Sequence, residues 1–167
     1  MHDIGVSEPG WRKPLLTASE RRAEWLLTSI VEHHGARILP SVKLSQVIDQ
    51  RPAGVTAEQW NYATRAHFDF VVCDAATSVP DFAVELDDPT HDRPDRQRHD
   101  RMKEAICEAA GLELLRIESS AFAPGPRGRR LVEYLIEARA YCKAFYQAQK
   151  TGPHRSTSHR CTGRPGM

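Results

Sequence analysis

The sequence predicts a mixed α/β domain whose central sheet of parallel and antiparallel strands is flanked by helices. Two runs rich in aromatic and β-branched residues, 67–74 and 81–88, are separated by a short turn and therefore favour an antiparallel hairpin. A helical segment then leads directly into a short strand at 112–117, and such a strand–helix–strand series favours a right-handed parallel crossover. With a helix and a further strand before the hairpin, the predicted order of the core is αβββαβ.

The first half of the chain begins with a predicted helix. Thr17-Ala18-Ser19-Glu20 has the form of a capping box, and apolar residues then recur at helical spacing up to Gly35, which is expected to end the helix. Ile38 and Leu39 predict a short strand, followed by an apolar turn or short helix before residues 52–54. Between residues 49 and 65 the sequence shows no clear pattern of a helix or a strand.

The second half contains the hairpin, the crossover and a last helix. The strand at 67–74 is expected to be buried on both faces, because it is almost continuously apolar. Gly111 is expected to close the crossover helix. The other predicted segments are a turn at 75–78, a loop at 89–95 and a helix from about 127 to 149.

The length of 167 residues fits one domain with unstructured ends. We expect a flexible arm at 1–16, a domain at 17–150 and a disordered basic tail at 151–167, where Gly, Pro, Ser, Arg and His replace any apolar periodicity. The net charge of +1 excludes a global field that would attract nucleic acid or membrane, so any such affinity must come from local patches.

The cysteines and the hydropathy pattern indicate a cytoplasmic protein. The four cysteines include no CxxC pair, and three of them lie in apolar segments where buried, reduced thiols are common. The first eleven residues do not resemble a signal peptide, and no apolar stretch approaches the ~20 residues of a membrane-spanning helix.

Acidic residues inside the predicted hairpin are the strongest functional signal. A carboxylate in an apolar strand is costly unless it is paired, protonated or bound to a cation, and Asp69 and Glu85 are both in this position. Strand alternation places Asp87 roughly 7 Å from Glu85 on the same face, and the hairpin can bring Asp69 beside them. Three converging carboxylates favour Mg²⁺ or Mn²⁺, which can promote phosphodiester hydrolysis. Alternatively, Asp69 pairs with Arg65 and Asp87 merely ends its strand.

Several motifs carry a resemblance to a known family. The element order, with an Asp-bearing strand followed by a Glu-x-Asp strand, resembles the PD-(D/E)XK, or restriction-endonuclease-like, nuclease superfamily. Over about residues 16–118 the chain carries the motifs Leu16-Thr17-Ala18-Ser19-Glu20, Leu39-Pro40-Ser41-Val42-Lys43-Leu44, His67-Phe68-Asp69-Phe70-Val71, Val84-Glu85-Leu86-Asp87-Asp88-Pro89-Thr90-His91, Arg98-His99-Asp100 and Gly111-Leu112-Glu113-Leu114-Leu115-Arg116-Ile117. With these motifs it more closely resembles the domain-of-unknown-function family 2726, which is itself similar to very-short-patch-repair-like nucleases.

The resemblance implies roles for individual residues. Asp69 would be the first metal ligand and Glu85 the second, with Glu20 as a supporting carboxylate. The superfamily's lysine, which orients the attacking water, is replaced here by Asp87. The candidates to take over its role are Lys103, Arg98 and Arg116, with His91 as a further acid or base.

Each of these residues also has a purely structural explanation. Glu20 is equally explained by the capping box, and His91 by a solvated loop. Lys103 is expected on a solvated helix face, paired with Asp100 three residues earlier. Arg116 could pair with a buried carboxylate for structural reasons alone.

A basic segment after the acidic strand indicates where phosphates could bind. Its arginines are Arg93, Arg96, Arg98 and Arg101. They could contact a phosphate backbone without reading bases, and no sequence-reading motif is present. The sequence therefore favours a metal-dependent nuclease that hydrolyses DNA, with Asp69, Glu85 and Asp87 as ligands. The alternative is an inactive nuclease-fold module that binds nucleic acid or a protein partner.

Overall fold

The computed structural model describes residues 14–87 and 94–151, and its centre is a four-stranded mixed sheet. The strands are β1 (Ala36–Lys43), β2 (His67–Asp74), β3 (Pro80–Asp87) and β4 (Glu113–Glu118), in the order β1-β2-β3-β4. The helices are α1 (Ala18–Val31), α2 (Leu44–Val47), α3 (Ala57–Ala63), α4 (Pro94–Ala110) and α5 (Leu131–Thr151). The predicted mixed α/β class and the order αβββαβ are confirmed.

Helix α1 begins and ends as its sequence predicts. The Thr17 hydroxyl accepts the Glu20 N–H at 3.2 Å, and the Glu20 carboxylate accepts the Thr17 N–H at 2.6 Å, which completes the capping box. After a 3₁₀ turn at Glu32–His34, Gly35 adopts φ = 66° and directs the chain into β1.

The sheet combines one antiparallel hairpin with one parallel crossover. β2 pairs antiparallel with β1 and with β3, whereas β3 pairs parallel with β4. Helix α4 makes the connection between β3 and β4, and Gly111, at φ = 66°, follows its last residue. Both the hairpin and the crossover agree with the predictions.

Three segments differ from the sequence-based expectation. β1 covers eight residues rather than two and includes Pro40, which is tolerated because β1 is an edge strand. Helix α3 occupies a region with no prediction, and Thr56 caps it by accepting the Gln59 N–H. Helix α5 starts at Leu131 rather than near residue 127.

Two apolar clusters cover the two faces of the sheet. The first joins α1 and α5 to the face that carries Phe70, Val72 and Val84. The second joins α4 and the α2–α3 region to the other face, through Val71 and Ala83. Among the described residues, no helix is long and apolar enough to cross a membrane. The predicted arm and tail, the loop that follows β3 and the fourth cysteine, Cys161, lie largely or wholly outside the described residues.

Candidate functional site

The backbone pairing of β2 with β3 stops just before the predicted acids. The last pair in the register is Phe70 with Val84. Beyond it, the Asp69 side chain replaces the strand backbone as a partner, because its Oδ2 accepts the Leu86 N–H at 2.8 Å. This hydrogen bond fixes the Asp69 carboxylate beside the residue that follows Glu85.

Glu85 forms a buried ion pair with Lys103 of α4. The exposed fractions of the two residues are only 9% and 6%. The Lys103 ammonium donates to Glu85 Oε1 at 2.6 Å and to the main-chain carbonyl of His67 at 2.9 Å. It also lies 5.7 Å from the centre of the Phe68 ring. A buried ammonium with two hydrogen-bond acceptors has a fixed position, unlike a solvated lysine.

The expected solvated position of Lys103 is therefore wrong. Lys103 lies on the face of α4 that also carries Ile106 and Cys107, and both of these pack in the second apolar cluster. Asp100, its expected partner, pairs with Arg116 instead, at 3.3 Å.

Burial raises the pKa of both carboxylates, Asp69 and Glu85. Removal from water, together with the charge of Asp69, raises the pKa of Glu85 to about 7, although the Lys103 ammonium opposes this shift. Burial also raises the pKa of Asp69 above its ordinary value, against the opposing effects of the Leu86 N–H and Lys103. Two nearby acids whose ionised forms are both disfavoured are the arrangement that a bound cation relieves.

Arg116 organises a second set of acids beside this pair. Its guanidinium contacts Asp87 at 3.3 Å, Asp100 at 3.3 Å and Glu104 at 2.9 Å. These charges help to raise the pKa of Arg116, although its partial burial acts in the opposite direction. These contacts agree with the structural explanation considered for Arg116, which is that it pairs with carboxylates. Asp87, the expected third metal ligand, pairs with Arg116.

The arrangement is a pair of acids with a lysine rather than a group of three acids. Among the described residues, no group of three or more His, Cys, Asp or Glu side chains could hold a metal ion. Asp69 and Glu85 nevertheless supply the hard oxygen donors that Mg²⁺ and Mn²⁺ prefer. Each uses one oxygen in the hydrogen bonds above, and the other oxygen accepts none from a described residue. The donor set therefore fits a divalent cation with two protein ligands and several waters.

The remaining predicted residues are one acid, Glu20, and the arginines of the basic segment. Glu20 belongs to the capping box, yet its charge also raises the pKa of Asp69, so it is near the site as well. Arg96 is half-buried and its charge lowers the pKa of Asp69, whereas Arg101 is exposed. Arg98 pairs with Glu58 of α3.

Two predicted residues, His91 and Arg93, lie outside the described residues. Arg65, considered as a partner for Asp69, donates instead to the carbonyl of Asn61.

An aromatic pair beside the acids was missed from the sequence. Tyr62 of α3 stacks on His99 of α4, with ring centroids 5.1 Å apart. Burial and the charges of Glu85 and Asp100 raise the pKa of Tyr62 to about 12, so its hydroxyl stays protonated. The sequence signal for this pair was weak, because the pair depends on α3, whose apolar pattern is short.

The fold and site together define a mixed α/β protein with a buried group of two acids and a lysine at the end of a hairpin. We call this group, Asp69, Glu85 and Lys103, the acid–lysine centre. A family model described as "Protein of unknown function (DUF2726)" matches residues 12–127, and the chain belongs to this family. No curated protein and no solved structure matches the chain. The matched region includes β1 to β4 and every residue of the acid–lysine centre.

Proposed function

We propose that this protein is a metal-dependent nuclease that hydrolyses phosphodiester bonds of DNA, with Asp69 and Glu85 as the ligands of Mg²⁺ or Mn²⁺. The observation that carries the proposal is the position of Lys103. The nuclease motif that this chain resembles has a lysine where Asp87 stands, and α4 brings the Lys103 ammonium within 2.6 Å of the second acid. In this proposal, Lys103 of α4 provides the positive charge that the motif lysine provides in the nucleases.

The proposed chemistry divides between the cation and the protein. A bound divalent ion polarises a phosphate oxygen and lowers the pKa of a coordinated water. In this proposal Lys103 stabilises the negative charge that develops on the scissile phosphate, and its support is that the ammonium is adjacent to Glu85 and shielded from solvent. Asp69 is held in position by the Leu86 N–H, and Arg116 keeps Asp87 away from the ligand pair.

The proposal assigns substrate binding to the first turns of α4. Arg96 and Arg101 are the predicted phosphate-binding residues that make no ion pair within the described part of the chain. Because phosphate contacts carry no base information, we propose binding that depends on salt rather than on sequence. Arg93 remains a prediction for the same role, and His91 remains a predicted acid or base.

The alternative is a module that binds DNA or a protein without cutting. It is favoured by Asp87 at the lysine position, and by the ion pair in which Lys103 already neutralises Glu85. The two proposals differ in one result, which is whether a phosphodiester bond is broken.

Cleavage of supercoiled, linear duplex and single-stranded DNA with Mg²⁺ or Mn²⁺ tests the proposal. We expect cleavage by the wild-type chain and a loss of at least ~100-fold in rate for Glu85→Gln and for Lys103→Met. Asp81→Asn is the matched control, because Asp81 is a partly buried, ion-paired acid at the opposite end of β3. DNA binding without cleavage in either metal would support the module. A chain that neither binds nor cleaves DNA would refute the nuclease and leave only a module that binds a protein partner.

A further inference from the structure

Helix α5 carries a row of exposed apolar side chains on the side that faces away from the sheet. We call this row the α5 stripe. Its members are Leu131, Tyr134, Leu135, Ala138, Tyr141, Cys142, Phe145 and Tyr146, all of them exposed. The opposite side of the helix already packs in the first apolar cluster through Val132 and Ile136. α5 therefore has two apolar faces, of which the domain buries only one.

The spacing within the α5 stripe is that of a helix-pairing seam. Leu131, Leu135, Ala138, Cys142 and Phe145 follow one another at intervals of four, three, four and three residues. This alternation is the heptad pattern by which one helix packs along another. A seam of this kind fits a helical partner better than a loop or an extended strand.

The charged residues of α5 whose side chains the structure describes lie beside the stripe and form ion pairs within the domain. Glu133 and Glu137 pair with Arg129, whereas Arg139 and Lys143 pair with Asp81. None of these ion pairs would have to break if the stripe were covered. The seam can therefore be buried without leaving an unpaired charge.

The exposed area is close to what a stable interface requires. Its six large side chains have exposed fractions between 37% and 73%. At 150–250 Å² per aromatic side chain, the stripe presents on the order of 600 Å². A standard interface buries about 800 Å² per partner, and about 600 Å² is at the upper end of the largest apolar patch that a monomer usually exposes. A second copy would contribute an equal and equally apolar area.

We propose that two copies of this chain associate through their α5 stripes to form a homodimer. A second copy brings a helix of the same length and the same heptad seam, as a two-fold interface requires. The small side chain of Ala138 lies midway along the seam and leaves room for close approach of the two helices. The family match ends at residue 127, before α5 begins, so this surface lies outside the matched residues. The inference does not depend on the nuclease proposal.

Sedimentation equilibrium of the full-length chain tests the proposal. We expect a mass of twice 18.8 kDa at micromolar concentration. Tyr141→Glu places a charge in the α5 stripe, beside the seam, and should weaken self-association at least ~30-fold. Trp25→Glu is the control, because Trp25 is an exposed aromatic residue on a helix outside the stripe, and it should leave the mass unchanged. Circular dichroism should show that both variants stay folded, since both positions are exposed.

Three results would overturn the dimer. The first is a wild-type chain that sediments at 18.8 kDa at a concentration of hundreds of micromolar. The second is a dimer that Tyr141→Glu leaves intact, which would place the interface elsewhere. The third is a monomer that binds single-stranded DNA through Tyr141, which would identify the stripe as a base-stacking surface instead.

Discussion

Replacing Lys103 with methionine removes the ammonium from Glu85 while it keeps the unbranched, buried stem. In the wild-type chain, a pKa of about 7 against an ordinary value of 4.5 means that ionised Glu85 costs about 3 kcal/mol on folding. Without the ammonium, Glu85 at about pH 8 stays protonated, and this costs about 5 kcal/mol relative to the ionised unfolded chain. At this pH, the Glu85 carboxyl therefore lowers the free energy of unfolding of Lys103→Met by ~1–2 kcal/mol more than it does in the wild type.

The same substitution should have a different effect in acid. At about pH 5.5, Glu85 is protonated in both folded chains, so its contribution to the difference in unfolding free energy falls to about zero. The lost hydrogen bond to the His67 carbonyl and the relieved burial of the ammonium contribute at both pH values. Lys103→Met should therefore lower the free energy of unfolding by ~1–2 kcal/mol more at about pH 8 than at about pH 5.5.

Urea denaturation with a chelator present measures this difference. Arg101→Met is the matched control, since Arg101 is an exposed cation on the same helix, and its effect should not depend on pH in this range. An effect of Lys103→Met that is equal at both pH values, within ~0.5 kcal/mol, would refute the reasoning. It would mean that the ammonium does not control the ionisation of Glu85.

Three further outcomes are expected. The metal-free wild-type chain should lose stability as pH rises from about 4.5 to about 7, because the folded state holds the Glu85 proton that the unfolded state has released; saturating Mg²⁺ should flatten this dependence in urea titrations. Thr17→Ala should lower the free energy of unfolding by about 1 kcal/mol through loss of the capping bond, while Ser19→Ala changes it little. Arg116→Met should lower the free energy of unfolding by about 1–3 kcal/mol, because it leaves Asp87, Asp100 and Glu104 without the arginine that they share.

The fold was predictable where local patterns determine it. The hairpin follows from two apolar strands with a short connection, and the parallel crossover follows from a helix closed by Gly111 directly before a strand. β1 was predicted too short because Pro40 usually ends a strand, and only its place at the edge of the sheet makes it acceptable. Helix α3 was not predicted because its apolar pattern is short.

The candidate site was predictable in its acids and not in its partners. Asp69 and Glu85 are conspicuous because they interrupt apolar strands, and the predicted hairpin brings them near enough for the charge of Asp69 to raise the pKa of Glu85. The burial of Lys103 depends on contacts with Phe68 and the His67 carbonyl, more than thirty residues away in the sequence. A signal was nevertheless present, because Lys103 shares a helix face with Ile106.

A calorimetric titration of the metal-free protein with Mn²⁺ tests most directly whether Asp69 and Glu85 share a cation. We expect one site per chain in the wild type and in Asp81→Asn, with affinity that rises as the pH passes about 7 and Glu85 loses its proton. Asp69→Asn and Glu85→Gln should each abolish this binding. Mn²⁺ affinity that is unchanged in both variants would contradict the account.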